Sequence, residues 1–158
     1  MHSLTIRPST VDDLTALAGL IGAFRDHLGA TVPSDAEILR DLPRALGDPG
    51  IEFCCAWIDD RPVGYTQTRF FTSVWVGGTE AHLDDLFVVA SARRRAVGRS
   101  LLRHALSRAR ARGAVRFGLN TNEMNARAHA LYRSEGMAPQ SHALYPGGRE
   151  VFWVISIA

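Results

Sequence analysis

The stretch Leu83 to Leu102 reads LDDLFVVASARRRAVGRSLL, and VRFGLN follows from Val115. An apolar strand runs into an arginine-rich turn, a helix begins, and a second strand comes after it. Helices interleaved with strands in this way require at least one parallel strand pair. That requirement narrows the fold more than any other feature of the chain.

The other segments fit around it. LTIR (4–7) reads as a short strand stopped by Pro8. Thr10 suits the N-cap of a helix over 11–24, with Asp12 and Asp13 in the first turn, where the helix dipole favours acids. Leu14, Leu17, Leu20 and Ile21 make its apolar face. Ser34 and Glu37 form a capping box for a second helix. IEFCCAWI (51–58) and VGYTQTRFF (63–71) read as a hairpin around DDRP, with Pro62 at the strand edge. VGGT (76–79) is a turn and AHLDDLFVV (81–89) the next strand.

From 97 to 112 the period becomes helical. Val97, Leu101, Leu102, Ala105 and Ala109 share a broad face, with Arg99, Arg103 and Arg110 opposite. Gly113 ends that helix. The strand 115–120 follows, then a helix over 125–135 ended by Gly136. Last comes a hairpin of 141–145 and 149–157 around PGG. The order is β-α-α-β-β-β-α-β-α-β-β.

With 158 residues the chain is expected to form one domain, 1–158, able to bury roughly 70% of its unfolded surface. The formal net charge of +2 does not demand a nucleic-acid partner. All 18 basic residues are arginine. Arginine forks suit phosphates, but a genome-wide arginine bias gives the same count. Cys54 and Cys55 are adjacent and point to opposite faces of a strand, so they read as reduced, buried hydrophobes. The opening MHSLTIRPST lacks the apolar run of a signal peptide, and no stretch is long enough to span a membrane. A soluble cytoplasmic protein is expected.

A strand, a turn and a helix start together make an anion site, because the first helical N–H groups have no intrahelical acceptor. Arg93, Arg94, Arg95 and Arg99 surround this one, and Gly98 is expected to let a ligand approach the backbone. The segment Arg93-Arg94-Arg95-Ala96-Val97-Gly98, followed by Arg99 and Ser100, resembles the acyl-CoA motif of the GNAT superfamily of acetyl-CoA-dependent N-acetyltransferases. That motif reads Gln/Arg-x-x-Gly-x-Gly/Ala. Two positions depart from it. Ala96 stands where the first motif glycine belongs, and Arg94 where a glycine often follows the arginine. Either the turn is right-handed at 96, or alanine there costs about 1–2 kcal/mol and weakens cofactor binding.

The resemblance extends over most of the chain. IRPSTVDDLTAL (6–17) is similar to the family's opening strand and helix. Asn125, Ala128, Leu131, Tyr132 and Gly136 match its second motif, Asn-x-x-Ala-x-x-Leu-Tyr followed by Gly. The resemblance implies a central, mostly antiparallel mixed sheet of about seven strands with about four helices. It implies acetyl-CoA as co-substrate, held at the pyrophosphate by backbone N–H groups of the turn. The run Leu86-Phe87-Val88-Val89 resembles the splayed strand whose backbone pairs with pantetheine amides. Asn125, with Ala128 in the same motif, would lie beside the pantetheine, and Tyr132 would be the general acid toward the leaving thiolate. Asn125 also reads as an N-cap. No metal is implied, and a homodimer is compatible because the family often dimerises.

Strand alternation puts Glu80, His82 and Asp84 on one face and Asp85 on the other. Amine acetylation needs a neutral amine, and a carboxylate can take its proton directly or through water. Asp84 matches the position where some polyamine-acetylating relatives carry a glutamate base. Asp85 is the alternative base, although its parity with Phe87 and Val89 suggests a structural or backbone-orienting role. Glu80 reads either as an attractor of a cationic amine or as a solvated charge, and His82 as an ordinary strand polar group. The expected activity is acetyl transfer to a primary amine, with a small cationic amine as the acceptor. Residues 24–36 and 72–80 are the expected substrate lid. Two other readings stay open: an acyl-CoA binder without turnover, and a regulatory or nucleic-acid module using the nine arginines from Arg93 to Arg116.

Overall fold

The structure is a computed structural model that describes residues 3–145 and 148–156. Seven strands form one mixed sheet: β1 (Leu4–Pro8), β2 (Ile51–Ile58), β3 (Arg61–Ser73), β4 (Gly78–Val88), β5 (Ala114–Asn122), β6 (Ala138–Tyr145) and β7 (Gly148–Ser156). The strand order is β1-β2-β3-β4-β5-β7-β6. Four helices accompany them: α1 (Leu14–His27), α2 (Asp35–Leu46), α3 (Val97–Ala111) and α4 (Ala126–Ser134). The element order read from the sequence is the order observed. The turn expected at 146–148 and the strand end at 157 fall wholly or partly outside the described residues.

The contacts group the chain into two compact units. The first comprises residues 1–68 and 85–105. In it β1 pairs antiparallel with β2, from Leu4 opposite Ile58 to Pro8 opposite Cys54. Thr10 caps a single 3-10 turn, Val11–Asp13, before α1 begins, and the Asp13 carboxylate reaches back to the Thr10 N–H at 2.9 Å. Arg7 grips the same carboxylate at 2.7 Å through both Nη atoms and holds its pKa below the usual carboxylate range. Ser34 and Glu37 make the expected capping box on α2. One core cluster joins Leu17 and Leu20 of α1, Ile38 and Leu42 of α2, and Phe53, Cys55, Tyr65 and Phe87 of the strands. A second joins Ala56, Val63, Ala92, Val97 and Leu101.

The second unit comprises residues 69–84 and 106–158. Here β4 and β5 supply the required parallel pair, from Thr79 opposite Ala114 to Leu83 opposite Leu119, with a register shift after Thr79. That ladder stops at Leu83 and Leu119, although β4 runs on to Val88 and β5 to Asn122. β7 pairs antiparallel with both β5 and β6. Trp153 is fully buried in β7. Among the described residues, no helix is long and apolar enough to cross a membrane.

Candidate active site

The arginine turn lies in the first unit. β4 ends with the Val89 N–H donating to the Val63 carbonyl at 2.9 Å, and a 3-10 turn over Ala90–Ala92 carries the chain to Arg93. Arg94 then has φ 62° and Ala96 φ 61°. Both lie in the left-handed region, so Ala96 is not right-handed: the turn keeps the backbone shape a motif glycine would give, and the cost of alanine falls on the stability of the fold. Each costs about 1–2 kcal/mol relative to a right-handed residue. Such conformations recur where turn N–H groups line an anion-binding concavity. α3 follows at once, and its first capping bond is Ser100 N–H to Ala96 O at 3.0 Å. The N–H groups before Ser100 therefore have no acceptor within the helix.

Gly98 is not a closely packed position. A Cβ built on it would meet Leu86 Cδ2 and Val88 Cγ2 at 3.8 Å, the distance of ordinary contact. Room for the backbone therefore does not require glycine at 98. The closest approach among the described glycines is at Gly64, where a Cβ would sit 2.6 Å from the Phe87 carbonyl oxygen. Sequence reading missed it because a glycine inside a strand announces close approach without naming the neighbour.

The arginines divide their roles. Arg93 Nε donates to the Val88 carbonyl at 3.0 Å, and its guanidinium lies 5.9 Å from the Phe87 ring centre. Arg94 and Arg99 are exposed. Arg95 lines a cavity of about 460 Å³ together with Arg61, Val63 and Ser91. Phe87 is a core residue stacked on Phe24 at 5.2 Å, so only its backbone is available to a ligand. Asp85 accepts a hydrogen bond from the Tyr65 hydroxyl at 2.9 Å. Burial first, and Asp85 second, push the Tyr65 phenol far up, so it stays a donor. This is the orienting contact expected of Asp85.

In the second unit the two acidic candidates have arginine partners. Arg69 Nε donates to Asp84 Oδ2 at 2.5 Å and Arg69 Nη2 to Asp84 Oδ1 at 2.6 Å. The same bonds raise the Arg69 pKa. His82 Nε2 lies 3.9 Å from Asp84 Oδ1. Glu80 is 3% exposed and accepts from Arg116 Nη2 at 2.7 Å. Glu80 is therefore neither a solvated charge nor an exposed attractor of amines; its charge is met inside the unit by Arg116. Each of the two acids expected to attract a cationic amine thus carries its own arginine.

On α4 the Asn125 side chain caps the helix by accepting the Ala128 N–H at 3.2 Å. Tyr132 is 7% exposed, with its ring 5.8 Å from that of Trp153. Burial alone pushes its phenol up to about 12. One turn earlier, His129 is also buried, its ring 5.1 Å from Trp153. Its Nε2 lies 3.0 Å from the Asn122 carbonyl, tying α4 to the end of β5. Sequence reading missed His129. Its three-residue spacing from Tyr132 was the available signal, since that spacing puts both on one helix face.

The chain as a whole is similar to known proteins. The model of the acetyltransferase (GNAT) family matches residues 20–137, most of the chain. The chain belongs to that family. An IAA acetyltransferase of Azospirillum brasilense is 32% identical over 139 residues, which is 87% of this chain and 86% of that protein. A thialysine N-epsilon-acetyltransferase of Caenorhabditis elegans is 26% identical over 129 residues, 82% of this chain and 78% of the relative. The crystal structure of the aminoglycoside N-acetyltransferase AAC(6')-Iy in complex with CoA aligns over 92% of this chain and 94% of its own, with a TM-score of 0.80 and 16% identity. At that identity the likeness is one of fold. The protein is an acetyltransferase of the GNAT family.

Proposed function

We propose that this acetyltransferase moves the acetyl group of acetyl-CoA onto a small primary amine by direct attack. The observation that carries the reading is the turn at 93–98. It keeps left-handed backbone at Arg94 and Ala96 although neither is glycine. A turn that holds its shape at about 1–2 kcal/mol per residue is fitted to a ligand, and successive N–H groups beside a helix start fit a pyrophosphate. The names of the two relatives, one a thialysine and one an IAA acetyltransferase, agree with acetyl transfer, and the first with an amine acceptor.

In this reading the backbone of the turn and of the first residues of α3 holds the pyrophosphate. The strand edge from Leu86 to Val89 guides the pantetheine arm, and the family motif gives Asn125 and Ala128 a part in binding the same cofactor. Asp84 takes the proton that the acceptor ammonium must lose, directly or through water. The free amine then attacks the thioester carbon, the C–N bond forms, and the C–S bond breaks. Tyr132 faces the leaving sulfur. Its phenol, pushed up to about 12, is a weaker acid than a thiol near 8.5, so complete transfer of its proton is uphill by about 5 kcal/mol. It serves as a hydrogen-bond donor that stabilises negative charge on sulfur. The nitrogen sheds a second proton as it becomes an amide; that proton ends on the thiol released, and the first passes from Asp84 to solvent.

Two measurements test this. Acetyl-CoA should raise the melting temperature, because it binds only the folded state. Thiol release should require both acetyl-CoA and an amine. No stabilisation at millimolar acetyl-CoA, with no thiol released across an amine panel, refutes the reading.

A further inference from the structure

We propose that the acceptor amine carries a carboxylate of its own, as an amino acid does, and that Arg69 is the residue that selects it. This deepens the proposed function and rests on Asp84 acting at the acceptor. Before any acceptor arrives, Asp84 is held by both donors of the Arg69 fork, at 2.5 and 2.6 Å. A bidentate pair of this kind is the strong form of a charge-assisted hydrogen bond. A carboxylate so engaged is poorly placed to receive an ammonium proton.

The class of acceptor follows from what happens when the pair opens. A simple cationic amine that docks on Asp84 must displace Arg69 and leave a half-exposed guanidinium without its partner. It gains one ion pair by breaking another. A zwitterion exchanges evenly. Its carboxylate takes the Arg69 fork and its ammonium takes Asp84, so one pair becomes two and neither protein charge is abandoned. Planar, bidentate recognition of carboxylate is what arginine does better than lysine. The other two acids of the strand are already engaged: Glu80 is buried on Arg116 at 2.7 Å, and Asp85 accepts from the Tyr65 hydroxyl at 2.9 Å. His82, 3.9 Å from Asp84 Oδ1, is a further group that becomes cationic when protonated.

The exchange also accounts for timing. Asp84 becomes available as a base only when an acceptor with a carboxylate relieves it of Arg69. Specificity then comes from the group left unpaired by the wrong substrate, the most effective way for a site to discriminate.

The test uses matched acceptors with acetyl-CoA saturating: lysine, lysinamide and cadaverine, and β-alanine with β-alaninamide. The acids should exceed the amides and the diamine in kcat/KM by about tenfold or more, mostly through KM. Arg69→Gln should raise KM for the acids by at least about tenfold and lower it for cadaverine, reversing the preference. Circular dichroism and the acetyl-CoA thermal shift establish that the variant is folded and binds donor. Arg69→Lys keeps the charge without the fork and should recover only part of the preference. A wild-type preference for cadaverine or the amides overturns the proposal, as does an equal loss on all acceptors in Arg69→Gln. If acetyl-CoA binds and none of these amines is acetylated, the amino-acid acceptor is refuted while donor binding stands. If acetyl-CoA does not bind at all, the proposed function itself has failed.

Discussion

Arg94 and Ala96 share one backbone conformation two residues apart, with φ 62° and 61°. Neither residue type favours it, and the intervening Arg95 is left with an exposed side chain. The turn is imposed on the sequence by its surroundings, with Ala92 and Val97 buried on either side of it.

Ala96→Gly should therefore stabilise the protein. Relief of about 1–2 kcal/mol is partly offset by the extra freedom glycine brings to the unfolded chain, about 0.5–1 kcal/mol. The net gain of about 1 kcal/mol corresponds to roughly 2–4 °C in Tm. Arg94→Gly should act in the same direction, less than additively because the two share one turn. Ala96→Val should do the opposite, since a β-branched residue suits positive φ least. A melting curve lowered by Ala96→Gly would show that the left-handed turn is not strained.

Gly98 and Gly64 should behave oppositely. Gly98→Ala places a methyl in ordinary contact with Leu86 and Val88, so Tm should hold or rise and acetyl-CoA should still bind within a fewfold. Gly64→Ala drives a Cβ to 2.6 Å from the Phe87 carbonyl and should cost about 1–3 kcal/mol. Loss of acetyl-CoA binding in a well-folded Gly98→Ala protein would return Gly98 to the role of a ligand-contact glycine.

Much of the frame was legible because it is local. The capping residues Thr10 and Ser34, the helical period from Val97, and the stops at Gly113 and Gly136 each act within a few residues, and the elements begin and end close to them. The parallel pair followed from order alone. The partners of the acids were not legible. Arg69 is 15 residues from Asp84 and Arg116 is 36 from Glu80, and no periodicity spans such gaps. Alternation gave Glu80 and Asp84 as members of an acidic face, but only register decides that each finds an arginine. The left-handed backbone at Ala96 was legible only through its place in the motif, since alanine itself carries no signal for it.

Asp84→Asn removes the proposed proton acceptor and leaves Arg69 facing an amide. At neutral pH kcat/KM should fall by about 10²-fold or more. An alkylamine acceptor titrates near 10, so raising the pH supplies free amine and should shrink the defect. The profile is measured with one acceptor from pH 7 to 9.5, acetyl-CoA saturating. A defect of constant size across that range would assign Asp84 to holding Arg69 in place, with no part in proton removal.

Tyr132 separates catalysis from stability at high pH. As the donor to the leaving sulfur, Tyr132→Phe should lower kcat by about 10²-fold, with acetyl-CoA affinity nearly unchanged. Burial sets the sign of the pH effect. The folded-state pKa of about 12 lies above the ordinary value near 10, so the unfolded chain loses the phenolic proton first. Stability linked to Tyr132 is complete below pH 10 and is lost as pH climbs through 12, by about 3 kcal/mol in all. Denaturant midpoints between pH 9 and 11.5 should thus fall less steeply in Tyr132→Phe than in the wild type, while Tyr65 keeps its own alkaline contribution in both. The wild-type rate should show no alkaline limb from Tyr132 below about pH 11. An unchanged kcat in Tyr132→Phe, with the altered stability profile intact, would leave the residue as packing against Trp153.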